Sequence, residues 1–383
     1  MKRIFCLMFA LLMVLLCACH PGEQPTPSSS ASPAPTPTPS ASQPVTPPPS
    51  ETPQPSEAPT PSPSPSEEPP VELTYPNPLT GLPMEEDTAN QKPVAVMLNN
   101  IKAAMPQQGN SQADIIYEVL AEGGITRMVG IYHDVSDLGI VGSVRSARLY
   151  FWDLALGHDA IFVHAGGSPE FYDTKDARGL STVDGVNGYY AYATTGLFWR
   201  DRERIEGKYY AYEHSLLTSG EKLTEILTQR GEFGPHKDGY TYKMNFAANA
   251  TPAGGENCAA VIVPFSNSKS TTFRYDRDSR LYMAEQYGGA MIDGNDNSQI
   301  AVSNVIILKT SCTVIDDAGR MKIDLSSGEG WFACGGKVIP ITWKKGNCDQ
   351  QLRYYTMDGK SLTLEQGKSY VCIIPLTRDI ITQ

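Results

Sequence analysis

Apolar and polar positions along the chain fall into four successive regimes. Residues 4–16 form an unbroken apolar run behind the basic start Met1-Lys-Arg3. From residue 20 to 70 large apolar side chains almost vanish. Between about residue 92 and residue 231, short apolar runs set off by glycine turns alternate with patterns of helical period. Beyond Gly254 the rhythm shortens to brief apolar runs with turn residues at near-regular spacing. This order predicts an α/β (mixed) N-terminal domain over residues 71–250, followed by a smaller, mostly antiparallel β-rich C-terminal domain over residues 255–383.

In the third regime, residues 92–98, 114–120 and 127–132 read as buried strands, the last two split by the turn Glu122-Gly-Gly124. The stretch 139–168 is the centre of this half. Gly142-Ser143 reads as a turn capping a helix whose body is Ala147, Leu149, Tyr150, Phe151, Leu154 and Ala155. That helix is apolar around most of its circumference, so it is expected to be buried on more than one side. Ala160-Ile-Phe-Val-His164 is a strand ending in a histidine. Ala165-Gly-Gly-Ser168 then turns into a second helix, with Ser168 as N-cap and Pro169 in the first helical position. Farther on, Thr218-Ser-Gly-Glu221 has the form of a capping box, and its helix carries Leu223, Ile226 and Leu227 on one face.

Candidate chemistry gathers in the same stretch. With Ser143 as cap, Arg145 and Arg148 fall in the first helical turn, where the helix dipole disfavours positive charge by a few tenths to about 1 kcal/mol each. A carboxylate, Glu118 or Glu122, or a bound anion would compensate them. His164, Gly166, Gly167 and Ser168 lie at the carboxyl end of a strand, where open α/β sheets place ligands. The run Arg200-Asp-Arg-Glu-Arg204 follows two aromatic residues, and His214 sits in a loop ahead of the third helix. The bland alternatives are a loop hydrogen bond for each histidine and a structural ion pair for each arginine.

Composition changes the picture at the ends and in the partners. The apolar run 4–16 is too short for a permanent membrane span, and Leu16-Cys-Ala-Cys19 looks like a bacterial lipobox, so residues 1–19 read as a lipoprotein signal with Cys19 lipidated. Residues 20–70, rich in Pro, Ser and Thr and without Lys or Arg, read as an unfolded stalk; a proline-rich spacer of that length reaches roughly 150 Å at about 3.1 Å per residue. With 42 acidic against 31 basic residues and no basic tract, nucleic acid is not an expected partner. Cys258, Cys312, Cys334, Cys348 and Cys372 lack metal-ligand spacing, so no metal is expected; both disulfides and buried thiols fit them. Asp293-Gly-Asn-Asp-Asn297 resembles a calcium loop but has Ser298 and Asn304 at the critical positions, so it reads as a turn. The chain lacks the nucleophile elbow, HExxH, phosphate-loop and dinucleotide fingerprints, and no cofactor is expected.

Five ordered blocks carry a resemblance: Pro93-Val-Ala-Val-Met-Leu-Asn-Asn100, Ser111-Gln-Ala-Asp-Ile-Ile-Tyr-Glu118, Glu122-Gly-Gly-Ile-Thr-Arg127, Gly142-Ser-Val-Arg-Ser-Ala-Arg148 and His164-Ala-Gly-Gly-Ser-Pro169. Together they resemble the YerB-like bacterial lipoproteins, the family filed as domain of unknown function 3048. The resemblance covers nearly everything after the stalk. It implies an α/β domain followed by a β-rich one, and names no reaction. Arg145, Arg148, His164, Arg200, Asp201, Arg202 and His214 fall on polar positions of the family's blocks. The chain departs where the family usually has Asp-Asn (here Asn99-Asn100), Pro-His-Asn (here Glu213-His214-Ser215) and His before Asp (here Ile292-Asp293).

The reading that results is a lipoprotein on the extracytoplasmic face of a bacterial membrane. Its α/β domain binds an anionic cell-wall component or acidic peptide through a site of Ser143, Arg145, Arg148, His164, Gly166, Gly167, Ser168, Arg200, Arg202 and His214, with Glu118 and Glu122. The rival is an envelope hydrolase or transferase with His164, His214 or Asp201 as catalytic candidates. A third is a scaffold that docks an envelope protein.

Overall fold

The computed structural model describes residues 75–204 and 212–383; the expected signal, lipobox Cys19 and stalk lie outside them. Strands dominate. In chain order those that matter here are β1 (Val94–Asn99), β2 (Ile115–Leu120), β3 (Thr126–Tyr132), β4 (Ile140–Gly142), β5 (Ile161–His164), β6 (Val183–Asp184), β7 (Trp199–Arg200) and β8 (Leu216–Ser219). The second half adds β9 (Glu256–Asn257), β10 (Ala260–Pro264), β11 (Ser270–Asp276), β12 (Leu281–Gln286), β13 (Asn304–Thr310), β14 (Ser327–Cys334), β15 (Lys337–Lys344), β16 (Arg353–Thr356) and β17 (Ser369–Pro375). The helices are α1 (Leu149–Gly157), α2 (Pro169–Arg178) and α3 (Gly220–Gln229).

One 11-stranded sheet runs β9-β15-β14-β13-β17-β2-β3-β1-β5-β6, with β16 beside β15. It crosses the sequence boundary near residues 250–255, because β17 pairs in parallel with β2, from Ser369↔Ile115 to Ile373↔Val119. β13 also pairs in parallel with β17, and residues 363–365 pair in parallel with residues 245–247; the other ladders of the second half are antiparallel. Its β10-β11-β12 ladder forms part of a separate antiparallel sheet. β1, β2 and β3 are buried along their whole length, as strands covered on both faces must be.

The helices begin where local chemistry and tertiary bonds agree. Ser168 caps α2 by accepting from Phe171 N, and Pro169 opens the helix. For α3 the cap is Ser219, accepting from Lys222 N, one residue past the expected Thr218, whose hydroxyl instead donates to Leu197 O at 2.9 Å. α1 is buried on more than one side, through Tyr150, Phe151, Trp152, Leu154 and Ala155. The five cysteines after residue 250 are free thiols, and among the described residues no group of three metal-ligating side chains exists. Asp293 is a turn residue, its carboxylate accepting from Gly109 N at 3.1 Å and Ser111 N at 2.8 Å.

The two halves are joined by a buried charge. Glu118 on β2 is fully buried, and its Oε1 accepts from Asn100 at 2.8 Å, Thr126 at 2.7 Å and Lys269 at 3.0 Å. Its Oε2 accepts from Thr271 at 2.8 Å and Tyr370 at 2.7 Å. The expected pairing of Glu118 with Arg145 or Arg148 is therefore corrected: its carboxylate faces the second half of the chain. Removing one member of a buried charged pair strands the other. Glu118→Ala should therefore cost about 3–5 kcal/mol, read as a lower urea midpoint at unchanged slope. A loss under about 1 kcal/mol would mean Lys269 finds water or another partner.

Candidate functional site

β1, β2, β5 and β6 run in one direction and end at one edge of the sheet; β3, antiparallel, starts there, placing Arg127 opposite Asn99. β1 and β5 pair only over residues 94–96 and 161–163, then part. Residues 143–147 fill the wedge between them. On one side Asn99 N donates to Ser143 O and Arg145 N to Met97 O, both at 3.0 Å. On the other, Ala165 N donates to Arg145 O at 3.0 Å and Ala147 N to Gly166 O at 2.9 Å. Arg145 is thus in extended backbone, and Arg148 is the extended residue preceding α1, which has no side-chain cap. The expectation of a Ser143-capped helix with both arginines in its first turn is corrected, because ladder bonds on two sides outweigh helix propensity. Gly142 makes the turn into the wedge at φ 141°, where a Cβ would meet Leu217 at 3.0 Å and Leu216 O at 3.1 Å.

The arginines meet their carboxylate at this edge. Glu122, in the turn between β2 and β3, binds Arg127 Nη2 at 3.1 Å and also Arg148 Nε. Burial works against its ionisation, but Arg127 and Arg148 outweigh that and hold its carboxyl below the usual range. Arg127 is itself buried; burial, with Arg148 nearby, brings its guanidinium down to about 10, still charged at neutral pH. It donates Nη1 to Ser146 O at 3.1 Å, while its buried Nε has no partner among the described residues. Arg145 donates Nη1 to Glu213 O at 2.9 Å, and its buried Nε likewise has no partner among the described residues. Three guanidiniums therefore gather at this edge, and among the described residues Glu122 is the side-chain carboxylate that bonds two of them, Arg127 and Arg148. Arg127 was read from sequence only as a strand residue; a charge at the head of an apolar strand was the signal for it.

His214 closes one side of the cluster. It is buried in a short 3-10 turn, and Asn99 Nδ2 donates to its Nδ1 at 2.9 Å and to Ser143 Oγ at 3.2 Å. The accepting Nδ1 leaves the ring proton on Nε2. Burial, then Arg145 and Arg204, lowers its pKa, so the ring is neutral at physiological pH. The preceding Tyr212 lies exposed, with the Arg200 guanidinium 3.5 Å and that of Arg202 5.3 Å from its ring centre. Tyr212 OH donates to Tyr192 OH at 3.0 Å. Arg204 is tied to Pro106 O at 2.6 Å. Asp201 accepts from Glu203 N at 2.9 Å within its own turn.

The structure does not bring His164 to this surface. Its ring is wholly buried, with Nδ1 2.8 Å from Gly166 O and Nε2 2.9 Å from Thr182 Oγ1. The neighbouring Asp184 accepts from Gly166 N at 2.8 Å, Val186 N at 2.9 Å and Tyr172 OH at 2.6 Å. A single cleft shared by Arg145, Arg148 and His164 is therefore corrected: the histidine organises the glycine turn on the far side of the wedge. Gly166, Gly167 and Ser168 serve the backbone there, through the bonds from Ala147 and Ser168 N and the bridge Ala147↔Gly167. The larger clefts also lie away from the arginines. One of 230 Å³, lined by Pro93, His133 and His236, sits at the opposite end of the strands, and one of 540 Å³ flanks residues 237–242.

With fold and edge defined, comparison with known proteins places the chain. Two family models match it: the N-terminal domain of proteins of unknown function DUF3048 over residues 79–233, and the C-terminal domain over residues 261–371. The chain belongs to this DUF3048 family. It is 32% identical over 308 residues to the putative lipoprotein YerB of Bacillus subtilis (strain 168), covering 78% of this chain and 86% of that one. It is also similar to the crystal structure of the YerB protein from Bacillus subtilis, with a TM-score of 0.67 and 31% identity, over 80% of this chain and 99% of the other.

Buried histidines set an acid limit on this architecture. Burial lowers the pKa of His133, His164 and His214, and brings His158 to about 3. For a depressed group, the stability contribution is complete above the unfolded value near 6.5 and is lost as pH falls toward the folded value. Asp114, raised by burial to about 6, and Asp153, also raised by burial, act in the opposite sense but are two groups against four. The urea midpoint should therefore fall between about pH 7 and about pH 5. A midpoint that is constant or rises over that interval would contradict these burials.

Proposed function

We propose that this protein is a lipid-anchored protein of the bacterial cell envelope, on the extracytoplasmic side, whose sheet edge binds an anionic ligand. A phosphorylated or carboxylated wall component, or an acidic peptide, has the required chemistry. The observation that carries the reading is the arginine cluster. Arg127 and Arg148 bind the carboxylate of Glu122, Arg145 lies beside them on Glu213 O, and among the described residues the buried Nε groups of Arg127 and Arg145 have no acceptor. Buried donors left without partners are costly, and an anion at the carboxyl edge would offset that cost. The lipobox at Cys19, the charged start before residues 4–16 and the relative named a putative lipoprotein support the anchor. Among the described residues no helix is long and apolar enough to cross a membrane.

Binding is favoured over base catalysis by the state of the histidines. His164 has both ring nitrogens engaged and no access to solvent. His214 has its Nδ1 occupied by an amide donor, so it presents a proton at Nε2 and serves better as a donor to an anion than as a base. An aspartate in place of Asn99, usual in the family, would accept from Nδ1 and favour the imidazolium instead.

Arg145 is the discriminating position, since its guanidinium is bonded to a backbone carbonyl and not to Glu122. Charge-assisted bonds contribute about 1.5–3 kcal/mol each, so Arg145→Ala should weaken binding of poly(glycerol phosphate) or polyglutamate roughly ten- to hundredfold. Calorimetric titration of both proteins gives the answer; equal affinities would sink the assignment. Arg148→Ala should in addition lower stability, because it breaks a partly buried pair. For the anchor, Cys19→Ala should abolish fatty-acid labelling and leave the protein in the medium or as precursor. Labelling of the variant as strong as that of the parent would refute the lipobox.

A further inference from the structure

The 540 Å³ cleft beside residues 237–242 differs in chemistry from the arginine edge. Its volume lies within the range of about 300–1,000 Å³ typical of small-ligand sites. It opens between that segment and β15–β16, with Gly157 at the end of α1 on its wall. Amides and phenols dominate it, from Asn347, Gln350, Gln351, Tyr240 and Tyr355, and no Leu, Ile, Val, Met or Phe contributes. An aliphatic or lipid ligand would find no matching wall there.

Charge does not define it either. Lys237 is paired with Asp349 at 2.9 Å, and the Lys344 ammonium lies 4.9 Å from the ring centre of Tyr355. With Arg353 and Asp238 the lining holds three cations against two carboxylates, an excess of a single positive charge. What is left are groups that both donate and accept, together with tyrosine ring surface. That combination suits a ring bearing several hydroxyls: amides and phenols meet the hydroxyls, and the aromatic faces cover the C–H faces of the sugar.

The wall is also held in place. Tyr240 stacks on His236 with ring centres 3.9 Å apart, and its hydroxyl accepts from Gln351 Nε2 at 2.6 Å. Gln351 is buried to 5% exposure, reaches His158 Nδ1 at 3.3 Å, and its Oε1 has no donor among the described residues. A ligand hydroxyl is the kind of donor that acceptor lacks. Side chains fixed before binding lose little freedom on meeting a ligand.

We infer that this cleft is a binding site for a neutral oligosaccharide, separate from the anion-binding edge. Saturation-transfer NMR on the full chain in a zwitterionic detergent, with triacetylchitotriose and maltotriose as probes, tests it. Saturable transfer to either sugar is expected, and the two probes distinguish an acetamido sugar from a plain polyol. Tyr355→Ala and the exposed Asn347→Ala should each weaken binding about tenfold or more, with the melting temperature of the Asn347 variant unchanged. No saturable signal from either sugar up to about 10 mM, or wild-type affinity in both variants, would overturn the assignment.

Discussion

The Glu118 carboxylate, fully buried at the junction of the two halves of the chain, constrains everything around it. A charge in that position costs several kcal/mol unless every lone pair is met. Here five donors meet it, two from side chains before residue 250 beside β2, Asn100 and Thr126, and three from beyond it, Lys269, Thr271 and Tyr370. Lys269 in turn is held by Gln286 Oε1 at 2.6 Å and Thr271 Oγ1 at 3.0 Å. Neither half can satisfy its own part of this arrangement alone. The parallel seam of β17 on β2 and the buried ion network therefore stand or fall together.

The same sheet, at its carboxyl edge, solves a different problem. β1 and β5 diverge, and the gap would leave backbone donors and acceptors unpaired in the interior. Residues 143–147 enter as an extended segment and bond to both strands. The device has a consequence for charge, because it carries Arg145 and Arg148 up to Arg127, and Glu122 bonds only the last two of these. Burial of the guanidiniums limits water as a partner, which is why an acceptor brought by a ligand has leverage there. On the other side of the wedge, His164 and Asp184 spend their bonding capacity on the glycine turn. Of the two ring systems, only that of His214 borders the arginines.

The chain alone determined a good deal of this. The strands at residues 94–99, 115–120, 126–132 and 161–164 were legible as apolar runs between turn residues, and α2 as Ser168-Pro169 because cap and first-turn chemistry are local. The arginines were legible as charges in need of a counter-charge, and Glu122 was among the partners named. The five ordered blocks sufficed for the family. β14 at Ser327–Cys334 went unread, since its Gly328 and Gly330 dilute the apolar pattern.

Tertiary structure decided the rest, for identifiable physical reasons. Residues 143–148 have a helical look, yet bonds to strands remote in sequence hold them extended, and propensity of a few tenths of a kcal/mol per residue cannot compete with a filled ladder. Which carboxylate answers the arginines depended on strand order, which places Glu118 in the seam and Glu122 at the edge. Whether His164 or His214 borders the charge cluster depended on burial and on bonds to Thr182 and Asn99, residues 18 and 115 positions away in the chain. Local patterns encode elements and caps because those forces act over a few residues. Register, seam and site are set by bonds between distant residues, and only the folded chain brings those together.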